Sequence, residues 1–337
     1  MTRYEELKDQ LKTRPFRWVV TGAAGFIGSH LVETLVSLNQ HVTGVDSFLS
    51  GRQQNLDEAL ANAGAPSAFR LINGDIRDIT VCREACEGAD FVLHQAALVS
   101  VPRSFEEPHL NNSCNVTGFL NMLLSARDAN VWSFVYASSA AVYGDQPEGP
   151  TKENAPLAPM SPYAVAKRTG ELYASVLAPG MNTAGLRYMN AYGPRQDPSS
   201  PYSGVISIWI EQLLKGQTPV IYGDGKTTRD FVYVADIVQA NILAAMADKN
   251  SRSNGGIYNI GTGKPTTLQD LLALISRSVR INTPRAGETA PRYMPPRVGD
   301  IRHSLADITL ARETLGYEPR YDLAHGLERT VRHTCCL

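Results

Sequence analysis

The sequence predicts a fold of the α/β class, in which a doubly wound parallel sheet is followed by a smaller C-terminal α/β domain. Short apolar strands alternate with helical segments through the first 190 residues, and the first strand runs directly into a glycine-rich turn. Beyond residue 190 the sequence becomes rich in turn residues and mixes short helices with short strands. At 337 residues, of which 43% are hydrophobic, the chain can bury the core that one or two such domains need.

The first predicted strand, residues 16–21, leads into the turn GAAGFIG and then into a segment whose apolar residues recur at helical spacing. Gly22, Gly25 and Gly28 therefore lie where a strand meets a helix. A helix N-terminus offers free N–H groups and a partial positive charge, and glycine lets the backbone approach a pyrophosphate closely. This segment predicts a Rossmann-type dinucleotide site, although its G-x-x-G-x-x-G spacing differs from the commoner G-x-G-x-x-G.

The second predicted strand, residues 41–45, is followed directly by Asp46. An acidic side chain at this distance from the glycine turn bonds the adenosine ribose hydroxyls of a dinucleotide. Because a carboxylate repels a 2′-phosphate, Asp46 favours NAD over NADP as the cofactor.

The remaining segments continue the alternation of strands and helices. An additional amphipathic helix, with Tyr4, Leu7 and Leu11, precedes the first strand. Further strands are predicted over residues 69–75, 91–97, 133–138 and 185–190, and helices over 108–128 and 161–178. We expect residues 1–190 and 231–262 to form an NAD-binding domain, and residues 191–230 and 263–337 to form the domain that binds the substrate.

A tyrosine and a lysine, Tyr163 and Lys167, stand four residues apart in the helix predicted over 161–178. On a helix this spacing places both side chains on one face, with Cβ atoms about 5–6 Å apart. A nearby ammonium favours phenolate over phenol, so that a tyrosine becomes able to act as a base near neutrality. The same spacing also arises by chance as an exposed helical pair, and the surrounding sequence has to decide between these interpretations.

Composition excludes several other classes of function. A net charge of −1 gives no basic surface for nucleic acid. No apolar stretch approaches the roughly 20 residues of a membrane span, and the N-terminus lacks the apolar core of a signal peptide, so we expect a cytoplasmic enzyme. Five cysteines do not suggest a disulfide framework, and no cluster of histidines or cysteines predicts a metal site.

Ordered motifs along most of the chain resemble those of the extended short-chain dehydrogenase/reductase family. Within that family the sequence is most similar to bacterial nucleotide-sugar 4-epimerases, particularly those acting on UDP-N-acetylhexosamines and their uronic acids in surface-polysaccharide synthesis. The matching motifs are Thr21-Gly22-x-x-Gly25-x-x-Gly28, Asp46, Gly74-Asp75-Ile76, His94-Gln95-Ala96-Ala97, Ser138-Ser139, Tyr163-x-x-x-Lys167, Leu186-Arg187-Tyr188-x-Asn190 and Arg229-Asp230-Phe231-x-Tyr233-Val234-x-Asp236.

The resemblance implies a mechanism of oxidation and return. Tyr163 would take the proton from the sugar 4-hydroxyl while C4 gives its hydride to NAD, and Lys167 would hold the cofactor ribose and lower the pKa of the tyrosine. Ser139 would bond the same sugar oxygen, with Ser138 as the second candidate for this role. The 4-keto sugar would then turn and take the hydride back on its other face, so NAD stays bound.

The resemblance also implies a set of binding residues. Those expected to contact NAD, besides Tyr163 and Lys167, are Gly22, Gly25, Phe26, Ile27, Gly28, Asp46, Asp75, Ile76, Gln95, Ala96 and Ala97. Those expected to contact a UDP-sugar are Val99, Ser100, Asn190, Gly204, Val205, Arg229, Arg297, Asp300 and Ser304. The two arginines match phosphate-binding positions, because the guanidinium fork suits a diphosphate.

Missing residues separate the possible reactions. Related dehydratases and decarboxylases carry an acid directly after the active-site serine or threonine, where this chain has Ala140 and Ala141. Neither alanine can move a proton, which disfavours both reactions. A net dehydrogenase or reductase stays open, as does a non-catalytic NAD-binding scaffold.

Substrate choice depends on three positions. Ser304 matches the place where epimerases restricted to glucose and galactose carry a tyrosine, so we expect room for a 2-acetamido group. Val99 departs from the glycine of N-acetylhexosamine epimerases, and Arg103 is a candidate partner for a uronate carboxylate, so UDP-glucose and UDP-uronates remain alternatives. The resemblance further implies a homodimer formed through the helices near 108–128 and 161–178.

Overall fold

The computed structural model describes residues 1–64, 68–178, 180–197, 204–247, 256–283, 290–296 and 301–336. The strands within these ranges are β1 Arg17–Thr21, β2 His41–Asp46, β3 Phe69–Asn73, β4 Phe91–His94, β5 Ser133–Ser139, β6 Asn182–Tyr188, β7 Asn190–Tyr192, β8 Val220–Tyr222, β9 Thr228–Tyr233, β10 Gly256–Ile260, β11 Pro265–Thr267, β12 Arg292–Met294 and β13 His303–Ser304.

The helices of the same ranges lie mostly between these strands. They are α1 Arg3–Thr13, α2 Phe26–Ser37, α3 Gln53–Ala63, α4 Ile79–Cys86, α5 Val101–Glu106, α6 Pro108–Asn112, α7 Gly118–Asp128, α8 Pro162–Leu177, α9 Val205–Leu214, α10 Val234–Met246, α11 Leu268–Asn282, α12 Thr309–Leu315 and α13 Leu323–Cys335. A π-helical turn, Ser113–Thr117, joins α6 to α7. The helix predicted over 108–128 is therefore one continuous run with a change of winding inside it.

Seven strands form a parallel sheet in the order β10-β6-β5-β4-β1-β2-β3. The strand order reverses between β1 and its neighbour β4. Doubly wound sheets bind their ligands at such a point. Residues of β1 alternate between the two apolar layers, with Trp18 and Val20 packed on one face and Val19 on the other. The predicted α/β fold with a doubly wound parallel sheet is confirmed.

Three predicted strands differ from the observed ones by more than one residue at an end. The strands predicted over 69–75 and 91–97 end at Asn73 and His94, opposite the last residues of their neighbours β2 and β1. The sixth strand spans 182–188 instead of 185–190, because its partner β5 ends opposite Tyr188. Asn190 begins β7 and pairs with Phe231 in a different sheet.

The smaller sheet contains β11, β9 and β13, with β7 also paired to β9, and a separate pair is formed by β8 and β12. The domain boundary predicted at residue 231 falls inside β9. Strand pairing assigns all of β9 to the smaller sheet, and the division of the chain into two domains stays a prediction.

The N-terminal helix α1 is firmly attached to the rest of the protein. Thr2 and Glu5 form a capping box at its start, and the side chains of Tyr4, Leu7 and Leu11 are buried. Glu5 also pairs with Arg320 at 2.8 Å. The amphipathic helix predicted before the first strand is thus present and belongs to the core. In the part of the chain described here, no helix combines the length and apolar character required for a membrane span.

Candidate active site

A cavity of about 500 Å³ opens at the carboxyl ends of the parallel strands. It brings together residues that are far apart in the sequence, from the glycine turn to the segment that follows β7. The predicted residues that line it are Gly22, Gly25, Phe26, Ile27, Gly28, Asp46, Asp75, Ile76, Gln95, Ala96, Ala97, Val99, Ser138, Ser139, Tyr163, Lys167, Asn190 and Gly204.

The glycine turn leaves no room for side chains. Gly22 has φ +68°, and a Cβ on Gly28 would lie 1.9 Å from the carbonyl oxygen of Gly22. Gly25 is the N-cap of α2 and has no side chain with which to cap it, and the first turn of the helix carries no acidic residue. The N–H groups at this helix end are therefore available to a pyrophosphate, and the cradle fits NAD.

Asp46 ends β2 at the edge of the same cavity. Its two carboxylate oxygens accept hydrogen bonds from the backbone N–H groups of Ala24 and Phe48, each at 2.8 Å. Burial raises the pKa of Asp46, and these two hydrogen bonds oppose that shift. Because each carboxylate oxygen can accept more than one hydrogen bond, the side chain retains capacity for ribose hydroxyls.

Tyr163 and Lys167 lie in the first part of α8, whose N-terminus is capped by the Ser161 hydroxyl. The Lys167 Nζ donates to the Ala137 carbonyl oxygen at 2.8 Å and lies 5.7 Å from the centre of the Tyr163 ring. Burial lowers the pKa of Lys167 to about 8. The predicted pair thus faces the cavity with its ammonium anchored to β5.

The pKa of Tyr163 shifts in the direction opposite to the one predicted. Burial raises it above the usual value of a phenol, and a hydrogen bond with the Ser139 side chain acts in the lowering direction. Desolvation disfavours the phenolate, and in this structure it outweighs the effect expected from the lysine. A phenolate at Tyr163 therefore needs additional positive charge or hydrogen bonding.

The two neighbouring serines have different surroundings. Ser139 accepts a hydrogen bond from the Ala141 N–H at 3.1 Å and also bonds Tyr163. The Ser138 hydroxyl instead donates to the buried Glu171 carboxylate at 2.6 Å. Of the two candidates, Ser139 is the one whose hydroxyl contacts the tyrosine.

A closed ring of hydrogen bonds beside the cavity was not predicted from the sequence. The Tyr188 hydroxyl donates to Gln95 Oε1 at 3.1 Å and accepts from Asn241 Nδ2 at 2.8 Å. The Gln95 amide in turn donates to Asn241 Oδ1 at 2.9 Å. Gln95 and Tyr188 belong to motifs noted above, whereas Asn241 lies on α10 with no sequence feature to connect it to them.

Arg195 is another residue of the cavity wall that sequence reasoning missed. It adopts φ +64°, its side chain is 3% exposed, and it pairs with Glu33 of α2. Its guanidinium also donates to His30 Nδ1 at 2.7 Å, which makes His30 Nε2 the donor to the Pro194 carbonyl oxygen. The sequence beyond residue 190 indicates turns but gives no sign that Arg195 is buried.

Several residues predicted to bind the substrate lie away from the cavity wall. Ser100 caps α5 by accepting from the Arg103 N–H, and Val205 begins α9 next to Gly204. Arg229 and Ser304 face each other in register on β9 and β13. Arg297 and Asp300 lie outside the described residues.

No group of three or more histidine, cysteine, aspartate or glutamate side chains is placed to hold a metal ion within the described ranges. The chemical groups that line the cavity include the phenol of Tyr163, the ammonium of Lys167 and the hydroxyl of Ser139. Together they can bind and deprotonate a hydroxyl beside a nicotinamide.

A model of the NAD dependent epimerase/dehydratase family matches residues 18–261. The chain belongs to this family. The match includes the glycine turn, Asp46 and the helix that carries Tyr163, and it confirms the predicted family and the prediction of NAD as the cofactor.

Individual relatives cover nearly the whole chain. The UDP-glucose 4-epimerase of Mycolicibacterium smegmatis is 38% identical over 319 residues, which are 94% of this chain and 97% of the relative. A UDP-N-acetylglucosamine 4-epimerase from Methanobrevibacter ruminantium M1, solved with UDP-N-acetylmuramic acid, superposes with a TM-score of 0.87 at 37% identity and covers 96% of this chain and 99% of its own.

A third relative binds a uronic acid. The UDP-glucuronic acid 4-epimerase from Bacillus cereus, solved with UDP-glucuronic acid and NAD, has a TM-score of 0.84 at 28% identity and covers 95% of this chain and 99% of its own. The three relatives thus share an epimerase name and differ in the sugar.

Proposed function

We propose that this protein is an NAD-dependent UDP-sugar 4-epimerase that interconverts UDP-N-acetylglucosamine and UDP-N-acetylgalactosamine. The grouping of Tyr163, Lys167 and Ser139 at one wall of the cavity carries this proposal. The turn after Ser139 begins with Ala140 and Ala141, so it offers no acid for dehydration or decarboxylation. The relatives named above support epimerisation at C4 as the reaction.

NAD would be held by the glycine turn, by Asp46 at the ribose and by Lys167. When bound, it supplies a hydride acceptor that is restored within each turnover, so no net oxidation of the sugar occurs. The chain has to keep the cofactor in place throughout, and the close backbone packing at Gly22 and Gly28 suits that requirement.

The side chains of this protein would handle the proton of the sugar hydroxyl. Ser139 would orient the sugar 4-hydroxyl and Tyr163 would accept its proton, then return it after the sugar has turned. The buried Lys167 ammonium, held by Ala137, would stabilise the phenolate and offset the burial that raises the Tyr163 pKa.

The choice of sugar rests on the residues near its expected position. Ser304 does not line the cavity in this structure. It supports an acetamido substituent through the resemblance alone, because it stands where epimerases restricted to glucose and galactose carry a tyrosine. Val99 lines the cavity and is 67% exposed, so it faces whatever occupies this region. Arg103 pairs with Glu107, which weakens the case for a uronate carboxylate as its partner. UDP-glucose and UDP-uronates are the alternative substrates.

An assay without added cofactor tests the proposal. Purified protein is incubated separately with UDP-N-acetylglucosamine, UDP-glucose, UDP-N-acetylglucosaminuronate and UDP-glucuronate, and the anomeric signals are followed by NMR. We expect the first to convert to its 4-epimer. Conversion of only another sugar would overturn the substrate, and reduction of added NAD without epimerisation would favour a dehydrogenase.

We also propose that two copies of the chain associate through α8. Val165, Leu172 and Val176 recur along this helix and are 52%, 49% and 68% exposed, so they form an apolar stripe on the surface. Light scattering should give the mass of a dimer for the native chain and of a monomer for Leu172→Glu. A native monomer would overturn this proposal. The cytoplasmic location stays a prediction.

A further inference from the structure

We propose that Glu171 is a positioning residue that, together with Ser138 and Arg187, fixes the helix of Tyr163 against the strand of Ser139. The proposal rests on the proposed function, because it concerns how the two reacting side chains are brought together. It gives Ser138 a role that differs from the catalytic one suggested by its sequence position.

The Glu171 carboxylate is buried and fully hydrogen-bonded. Its Oε1 accepts from the Ser138 hydroxyl at 2.6 Å and from Arg187 Nε at 2.8 Å. Its Oε2 accepts from Arg187 Nη2 and from Arg168 Nη1, both at 2.8 Å. The side chains of Glu171 and Arg187 are only 1% and 2% exposed. The bidentate pair therefore has one defined geometry.

Arg187 is itself held from two further directions. Its Nη1 donates to the Glu153 carbonyl oxygen at 3.0 Å, and its guanidinium lies over the Tyr143 ring at 4.7 Å from the ring centre. Hydrogen bonds from Arg187 and Ser138 lower the pKa of Glu171 against the effect of burial, so the carboxylate stays ionised. The arginine thus presents a fixed fork to the helix.

The three residues lie on three different elements that meet at the active site. Glu171 is one helical turn beyond Lys167 on α8, Ser138 precedes Ser139 on β5, and Arg187 is on β6. The Ser138 to Glu171 hydrogen bond therefore links the helix that carries the base to the strand that carries its hydrogen-bonding partner. A shift of α8 along β5 would break it.

Stability alone does not account for such a network. A buried ion pair gains little over well-packed apolar residues of similar size, because both charges lose their hydration. Replacing the whole network with apolar side chains should thus preserve the fold while removing the directional contacts. A loss of activity in such a folded variant would therefore indicate a positioning role, and not a merely structural one.

The test uses the NAD-loaded protein and two variants. Ser138→Ala removes one hydrogen bond, and the triple variant Ser138→Ala, Glu171→Met, Arg187→Met removes the network without leaving a buried charge. Gln40→Met is the matched control, because Gln40 is fully buried and hydrogen-bonded at the opposite end of the sheet. The measurements are kcat, KM, NAD content, thermal stability and the pKa of Tyr163.

The pKa of Tyr163 is obtained from ultraviolet phenolate absorbance as the difference from a Tyr163→Phe counterpart of each variant. We expect kcat to fall about tenfold to a hundredfold in the triple variant and less in Ser138→Ala, with KM and NAD content little changed. We also expect the pKa of Tyr163 to rise, because Ser139 no longer bonds it. Gln40→Met should lose thermal stability and keep the native kcat and the native pKa of Tyr163.

A folded triple variant with native kcat and an unchanged Tyr163 pKa would overturn the proposal. If the triple variant does not fold, the kcat and the Tyr163 pKa of Ser138→Ala decide, and native values of both would overturn the proposal. Should the native protein epimerise no tested sugar, the proposed function fails, and the Tyr163 pKa still judges the positioning role by itself.

Discussion

The ammonium of Lys167 donates its hydrogen bond to the backbone at Ala137 and lies 5.7 Å from the centre of the Tyr163 ring. It therefore acts on the phenol through its charge and not through a direct hydrogen bond. Since burial lowers the pKa of Lys167 to about 8, the charge itself depends on pH within an accessible range.

This relationship predicts an alkaline limit of activity. The ammonium loses its proton as pH rises through about 8, so kcat should fall above that pH. Lys167→Arg should lose this limit, because a guanidinium stays protonated, whereas Lys167→Met should be weakly active at every pH. The measurement is a pH profile of kcat. If the alkaline limit persists in Lys167→Arg, a group other than Lys167 causes it.

Removal of the phenol hydroxyl should abolish most of the turnover. We expect Tyr163→Phe to lower kcat by about a thousandfold, since general bases contribute about 10²–10⁴ to rates. Bound NAD, measured after denaturation, should match the native amount, because the ring and its packing persist. Native turnover in this variant would exclude Tyr163 as the base.

Two glycine substitutions test whether the glycine turn has to stay free of side chains in order to bind NAD. Gly28→Ala should abolish NAD retention, because its Cβ would lie 1.9 Å from the Gly22 carbonyl oxygen. Gly170→Ala is the control, since its Cβ would meet Phe119 at an ordinary 3.4 Å within α8, where alanine favours the helix by about 1 kcal/mol. The NAD content and thermal midpoint of both variants give the answer.

Loss of the Tyr188 hydroxyl should destabilise the protein. In Tyr188→Phe the buried Asn241 amide and the half-buried Gln95 carbonyl oxygen each lose a partner. We expect the free energy of unfolding to fall by about 1–3 kcal/mol, measured by chemical denaturation. An unchanged value would mean that the ring of hydrogen bonds is dispensable.

A bulky residue at position 304 should change the preference for the sugar. Ser304→Tyr is expected to abolish turnover of UDP-N-acetylglucosamine and to spare activity on UDP-glucose, because it fills the space proposed for the acetamido group. Ser304→Ala, which adds no volume, should retain the native preference. Equal activity of Ser304→Tyr on both sugars would remove the basis for the proposed substrate.

Local patterns predicted the fold and one wall of the cavity well. The glycine turn could be placed because strand, turn and helix follow one another in sequence, and Asp46 ends the next strand. The sixth strand was misplaced because its end is set by β5, whose last residue faces Tyr188.

Contacts between distant residues were beyond sequence reasoning. Asn241 is 146 residues from Gln95, and nothing in either segment indicates their hydrogen bond. Arg195 has a φ of +64° and is buried against Glu33, which belongs to another element. The net rise in the Tyr163 pKa follows from burial, which a motif does not report.

Between Tyr188 in the large sheet and Asn190 in the small one stands a single residue, Met189, whose N–H is bonded to the Ile260 carbonyl oxygen at 2.9 Å. This one-residue connection joins two strands that are each paired in a sheet, so it leaves little slack between the two sheets. We therefore expect the cavity to keep its shape where the two sheets meet. A sugar that must present both faces to the same nicotinamide then has to rotate about its diphosphate, without a movement of the protein.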